Sequence, residues 1–290
     1  MEVRTARHIG FCPGVRRAIE ITERALEMSE GPVLTLGPLI HNPQVVAMLE
    51  RLGVEVMEDR PSALEEKDLA GKTVVIRSHG APPSTFDLLR RRGAAVIDAT
   101  CPNVKRAQKG AAELVKDGFS LLVVGSSDHP EVRAILGWVD GRADVVADRE
   151  AMDAWWKGGG KRRRRVGVIG QTTIDLELFR ELVNVMLGRV PDLRVIDTLC
   201  HSTIARQQEA RRLALSSDLV LVMGGRNSSN TSFLRKICLL CGTPALQLET
   251  ADELDIEALR RVRNLAVLGG ASTPDWIVDG VVEKIRRAFP

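Results

Sequence analysis

Ala6–Ile21 (ARHIGFCPGVRRAIEI), Ala94–Gln108 (AAVIDATCPNVKRAQ) and Leu193–Gln208 (LRVIDTLCHSTIARQQ) share one plan. In each, an apolar, strand-like run ends, a cysteine follows directly or after a short turn, and a helical pattern begins. The cysteines are Cys12, Cys101 and Cys200, separated by 89 and 99 residues. That spacing predicts three repeated units. Cysteine thiolate is a soft ligand, so three thiolates brought together suit zinc, copper(I) or an iron–sulfur centre. On a four-iron cluster, three protein ligands leave one iron to meet a substrate.

Working outward, apolar β-type runs recur along the chain: ARHIGF, PVLTLG, VEVME, TVVIRS, AAVIDA, SLLVVG, ADVVAD, RVGVIG, LRVIDT, DLVLVMG, PALQLE and LAVLGG. Helical patterns lie between many of them, among them GVRRAIEITERALEM, HPEVRAILGWV, DLELFRELVNVMLGRV and IARQQEARRLALSS. Strands alternating with helices predict an α/β fold with parallel sheets. About twelve strands give about four per unit. The expected units are 13–100, 101–198 and 199–290, the last joined by an N-terminal strand within 1–12. Runs apolar on both faces predict strands covered by helices on both sides.

Composition narrows the class. The chain has 290 residues, 44% of them hydrophobic, and a net charge of +3. Its mean hydropathy is near zero. This predicts a soluble globular protein, with too little charge to imply nucleic acid. No apolar stretch approaches the ~18 residues of a membrane helix, and the N-terminus lacks a secretory h-region. Five cysteines in a chain of this size favour metal or catalytic use in a reducing, cytoplasmic setting over a disulfide framework.

Polar residues gather just after the apolar runs: GPLIHNP, RSHGAP, DATCP, GSSDHPEV, GQTT, DTLCHST, GGRNSSN and GGASTP. Ligands of open parallel sheets bind beyond the carboxyl ends of the strands. Four of the five histidines, His41, His79, His129 and His201, stand at such tips; His8 reads as part of the first strand. Imidazoles, Ser hydroxyls and Asn amides can donate to phosphate oxygens, and helix N-termini add backbone donors. Arg226–Ser232 (RNSSNTS) reads as a phosphate cradle or simply as an N-cap. Glu131, two residues after His129 and without an adjacent Lys or Arg, suits a proton donor, or a first-turn helix glutamate. Thr172 and Thr173 suit a cap or a proton relay. Asp128 is a weaker acid candidate; Asp98 and Asp197 precede their cysteines and suit loop orientation. Cys238 and Cys241 form a CxxC in an apolar helix end and read as core packing. Gly158–Arg165 (GGGKRRRR) reads as an exposed, solvated basic loop.

Taken in order, GFCPGVRRAIE, LGPLIHNPQVV, RSHGAP, DATCPNV, DHPEV, GQTT, DTLC-xxT-xxRQ, GGRNSSNTS and GGASTPD resemble the 4-hydroxy-3-methylbut-2-enyl diphosphate reductase family over nearly the whole chain. The resemblance implies three α/β units around a pseudo-threefold axis, with a [4Fe–4S] cluster held by Cys12, Cys101 and Cys200. It implies that the fourth iron takes the allylic hydroxyl. It further implies that His41, His79, His129, Ser228, Ser229, Asn230 and Ser272 hold the diphosphate, that Thr172 meets the hydroxyl end and that Glu131 delivers protons. The implied reaction is the last step of the methylerythritol phosphate route, giving isopentenyl and dimethylallyl diphosphate. The implied electron donor is ferredoxin or flavodoxin. His201 departs from the tyrosine common in the family, and the basic loop and Cys238/Cys241 lie outside the motifs that carry the resemblance. Two rival readings are a three-cysteine iron–sulfur dehydratase of quinolinate-synthase type, which would need basic residues at the tips, and a zinc-stabilised RNA-binding module using the basic run.

Overall fold

The computed structural model describes residues 1–289. The chain opens with β1 (Glu2–Thr5) and α1 (Pro13–Met28). There follow β2 (Val33–Leu36), α2 (Pro43–Arg51), β3 (Val54–Met57), α3 (Pro61–Glu66), β4 (Thr73–Ile76), α4 (Pro83–Arg91) and β5 (Ala95–Asp98). The next stretch is α5 (Pro102–Lys116), β6 (Ser120–Val124), α6 (Pro130–Trp138), β7 (Ala143–Val146), α7 (Arg149–Lys157), β8 (Arg165–Gly170), α8 (Leu176–Met186) and β9 (Asp192–Val195). Last come α9 (His201–Ala214), β10 (Leu219–Met223), α10 (Ser229–Leu240), β11 (Ala245–Leu248), β12 (Asn264–Gly269) and α11 (Asp275–Ala288).

These strands form three four-stranded parallel sheets ordered β5-β4-β2-β3, β9-β8-β6-β7 and β1-β12-β10-β11. Read by position, the order is the same three times, the N-terminal strand standing fourth in the last sheet. The cysteine-bearing loop follows the edge strand (β5, β9, β1) each time. The two strands flanking the order reversal (β2/β4, β6/β8, β10/β12) are central. Ligands of such sheets bind beyond the carboxyl ends at that reversal.

Central strands are buried on both faces, as their apolar runs predict: β2, β4 and β10 are buried throughout. The edge strands β1, β5 and β9 are not. An edge has a neighbour on one side only, so the expectation of two-sided burial holds for the middle of each sheet and fails at both edges, where β3, β7 and β11 are also partly exposed. His8 is likewise not in a strand: β1 stops at Thr5, and His8 lies in the turn beyond it.

The helices show why they form. In α5 the buried set is Val104, Ala107, Gln108, Gly110, Ala111 and Leu114, a stripe at helical spacing. In α9 the buried set includes Arg206, Gln207 and Glu209. Glu209 earns its burial by accepting the backbone N–H groups of Arg7 (2.8 Å) and His8 (3.0 Å).

The described residues pack as two compact units: Met1–Arg16, Ile40–Arg51 and His201 onward form one, Arg17–Leu39 with Leu52–Cys200 the other. The second unit holds two sheets. There Trp138 Nε1 donates to the Ala81 carbonyl (3.1 Å), and a Cβ on Gly137 would lie 2.5 Å from the Pro82 ring. Arg77 and Arg133 both pair with Asp59. These contacts clamp α6 against the tip of β4. We propose the division 13–100, 101–198 and 199–290 with strand 1–12 as a description of the sheets, alongside the two packed units.

Candidate functional site

Each cysteine loop is anchored alike. Cys12 N–H donates to the Ala271 carbonyl, Cys101 N–H to Ser78 and Cys200 N–H to Thr172, each at 2.9 Å. Each acceptor lies two residues beyond the strand neighbouring the edge: β12, β4 or β8. A second repeated device fixes the residue or two before each cysteine. Arg17, on the helix after Cys12, donates to the Thr100 carbonyl (3.2 Å). Arg106, on the helix after Cys101, donates to Leu199 (3.1 Å). Arg206, on the helix after Cys200, donates to Gly10 (2.8 Å). Gly10 has φ +75°, and the Asp275 carboxylate fills the place of a Cβ, so only glycine fits there. Asp98 and Asp197 do orient their loops, accepting from Thr100 N–H (2.9 Å) and Leu199 N–H (3.0 Å). Sequence reasoning missed the arginines, although Arg17, Arg106 and Arg206 stand five or six places after their cysteines in the repeated stretches.

The donor set suits a soft metal centre. The five cysteines are free thiols, and each of Cys12, Cys101 and Cys200 directly precedes a helix. Asn103 Nδ2 lies 3.3 Å from Cys200 Sγ, a polar hydrogen aimed at a sulfur. Cys238, by contrast, is fully buried in the core around β10, and burial pushes its thiol up to about 12. Cys241 caps the end of α10.

In the second unit, His79, His129, Glu131 and Thr172 follow β4, β6 and β8. The His79 and His129 rings meet edge to face, 5.4 Å between centroids. His129 is the N-cap of α6, its Nδ1 accepting the Glu131 N–H (3.2 Å). In the neutral ring that contact places the proton on Nε2, making it a donor. Glu131 is 1% exposed. Its carboxylate accepts Thr172 N–H at 2.7 Å and Thr172 Oγ–H at 2.8 Å. Burial pushes its pKa up to about 7, against the pull of the two Thr172 donors. Thr172 therefore joins the acid to the cysteine loop: its backbone N–H and hydroxyl bind Glu131 while its carbonyl holds Cys200. Thr173 instead accepts from Gln171 Nε2 (2.8 Å).

In the first unit, Ser228 is the N-cap of α10, accepting from Thr231 N–H and Thr231 Oγ–H. The capping alternative for NSSN is thus correct for Ser228. Ser229 is exposed at the helix start. Asn230 is different: it is 6% exposed, and neither end of its amide has a hydrogen-bond partner. A buried amide with both ends unsatisfied is costly unless a ligand completes it. Ser272 Oγ donates to the His41 carbonyl (3.1 Å), tying the β12 tip to α2's entry. Asn230→Ala is expected to raise KM for an anionic substrate roughly 10- to 100-fold, the value of a buried hydrogen bond, with an unchanged metal-centre spectrum. Steady-state kinetics alongside the visible spectrum checks this.

His201 begins α9 and is exposed. The basic run is exposed from Lys161 to Arg165, as expected, but it is not a plain loop: Gly160–Arg162 form a 3₁₀ turn, Arg163 pairs with Asp144, and Arg165 lies in β8, bonded to Asp192 and stacked over Phe119. Among the described residues no helix is long and apolar enough to cross a membrane.

Residues 3–286 match the LytB protein family. The chain belongs to the LytB family. Two relatives to which the chain is similar are named 4-hydroxy-3-methylbut-2-enyl diphosphate reductase. That of Aquifex aeolicus is 40% identical, covering 99% of this chain and 96% of the relative. That of Geobacter sulfurreducens is also 40% identical, covering 99% and 98%. A solved structure of (E)-4-hydroxy-3-methyl-but-2-enyl diphosphate reductase, described as the terminal enzyme of the non-mevalonate pathway, matches with a TM-score of 0.70 at 39% identity, covering 99% of this chain and 100% of that one. The Plasmodium falciparum reductase structure matches with a TM-score of 0.89 at 24% identity, covering 97% and 87%, a likeness of fold alone.

Proposed function

We propose that this LytB chain reduces 4-hydroxy-3-methylbut-2-enyl diphosphate to isopentenyl and dimethylallyl diphosphate, using a [4Fe–4S] cluster held by Cys12, Cys101 and Cys200. The full-length likeness to relatives bearing that name supports the activity. The observation that carries the chemistry is Thr172, bonded to the buried acid Glu131 on one side and to the Cys200 loop on the other. That link supports reading Glu131 as a proton source close to the Cys200 loop. The quinolinate-synthase and RNA-module alternatives have no such support, and zinc supplies no electrons.

In balance, the substrate alcohol, two electrons and two protons give the alkene diphosphate and water. When bound, the cluster supplies the electrons, one at a time, and Lewis acidity beside the leaving hydroxyl. This chain's residues do the rest. His41, His79, His129, Ser228, Ser229, Asn230 and Ser272 are assigned to the diphosphate, whose remote binding energy holds the hydroxyl in place. His129 contributes an Nε2–H donor and Asn230 its unsatisfied amide. Burial raises the Glu131 pKa to about 7, so it keeps its proton closer to neutral pH than an ordinary glutamate does. Once protonated, it donates to Thr172 Oγ, whose own hydrogen then turns toward the substrate oxygen. Burial keeps bulk water out of that transfer.

The electron donor is assigned as a ferredoxin or flavodoxin, in a reducing cytoplasmic setting that suits five thiols. Incubating the anaerobic protein with the substrate and a strong chemical reductant tests the reading. Both alkene diphosphates are the expected products, identified by mass spectrometry. Unchanged substrate, or its hydrolysis to the free alcohol, would contradict it.

A further inference from the structure

Helix α5 starts directly after Cys101, yet its second residue faces a different cysteine. Asn103 Nδ2 lies 3.3 Å from Cys200 Sγ. One turn on, Arg106 already holds the backbone of the Cys200 loop through the Leu199 carbonyl at 3.1 Å. Thr172 holds it again through the Cys200 N–H at 2.9 Å. The loop is therefore fixed without the asparagine. What Asn103 adds is chemical: an amide hydrogen directed at sulfur, in a half-buried position. Only the nitrogen end of the amide can serve a thiolate, which accepts and does not donate.

We propose that Asn103 is a positioning residue that donates an N–H···S hydrogen bond to the Cys200 thiolate in the loaded protein and thereby raises the cluster's reduction potential. The inference rests on the reading that Cys200 is a cluster ligand. Reduction adds one electron from the donor, breaks no bond, and makes the cluster one unit more negative. Part of that charge resides on the thiolate sulfurs. An N–H aimed at one of them stabilises the reduced state more than the oxidised state, and that difference is what sets a potential. A neutral amide does this without adding a titratable group. It also couples the two cysteine loops of one unit, since the residue that follows Cys101 by two tunes the sulfur of Cys200.

The test is a redox titration of anaerobically purified holoprotein followed by electron paramagnetic resonance, comparing the wild type with Asn103→Leu and Asn103→Asp. Leucine removes the donor at similar volume; aspartate keeps the shape and replaces the donor with a negative acceptor. All three proteins are expected to hold the same iron and sulfide. Both variants are expected to titrate at more negative potential, aspartate furthest. At a fixed ambient potential near the wild-type midpoint, the ratio of reduced to oxidised cluster should fall about tenfold, which is 59 mV for a one-electron couple. The Fe–S(Cys) stretching bands in resonance Raman spectra should shift with it. An unchanged midpoint in loaded variants would overturn the inference and leave the ligand assignment standing. Iron loss in both variants with no shift in the remaining fraction would overturn it too, leaving Asn103 a loop support. A wild type without iron would sink the ligand assignment itself.

Discussion

Serine at Cys101 or Cys200 is expected to strip the protein of most of its iron and all measurable turnover, and serine at Cys12 to do the same. Serine at Cys238 or Cys241 is expected to leave both in place. The contrast follows from position. The first three each precede a helix, with the backbone N–H held by a carbonyl two residues past the neighbouring strand. Cys238 lies fully buried among Ala210, Leu234 and Ile237, its thiol pushed up to about 12, so it is neither thiolate nor accessible. Hydroxyl oxygen is a poor replacement for a soft ligand, so the loss should be nearly complete at any one position. Anaerobic purification followed by iron analysis and single-turnover assay measures it. Bleaching by Cys238→Ser but not by Cys101→Ser would reverse the assignment.

Glu131→Gln is expected to keep the metal centre and substrate binding while turnover falls roughly 10²–10⁴-fold, the range for loss of a general acid. Glutamine preserves shape and the Thr172 N–H contact but carries no exchangeable acid proton. Single-turnover reduction with a strong chemical reductant reads the step without limitation by donor docking, and near-normal product formation would remove Glu131 from the mechanism. The same variant has a stability signature of opposite sign. The folded pKa of Glu131 is raised from 4.5 to about 7 by burial. Its contribution to stability is therefore fully present below pH 4.5 and is lost as pH rises through 7, by about 3 kcal/mol in total. Glutamine carries no charge to bury. Its stability relative to the wild type should thus grow by about 2 kcal/mol between pH 5 and pH 8, read from urea midpoints. A pH-independent difference would mean that Glu131 does not titrate in this window.

Much of this is legible in the sequence. Apolar runs at four per unit locate the strands because the central strands are buried on both faces and are therefore largely apolar. Sheet order then accounts for the polar tips: His41 and His79 follow the strands flanking one reversal, His129 and Thr172 the next, Ser228–Asn230 and Ser272 the third. The edge strands misled, because β1, β5 and β9 carry cysteine loops and expose a face. Apolar neighbours make His8 read as part of β1, whereas its backbone N–H serves Glu209, 201 positions away. Contacts of that range leave no local pattern. The same holds for Thr172, whose bonds to Glu131 and Cys200 explain both the site of the acid and part of its pKa. The Arg17, Arg106 and Arg206 latches did leave a trace, an arginine five or six places after the cysteine in each of the three repeated stretches.

We propose that three strand-end cysteines hold one redox centre in this LytB chain. Its most direct test is the iron and acid-labile sulfide content of the anaerobically purified protein, measured together with zinc. A brown protein with about four irons and about four sulfides per chain is the predicted result, as a cluster of this type requires. A colourless protein carrying zinc and no sulfide would contradict it.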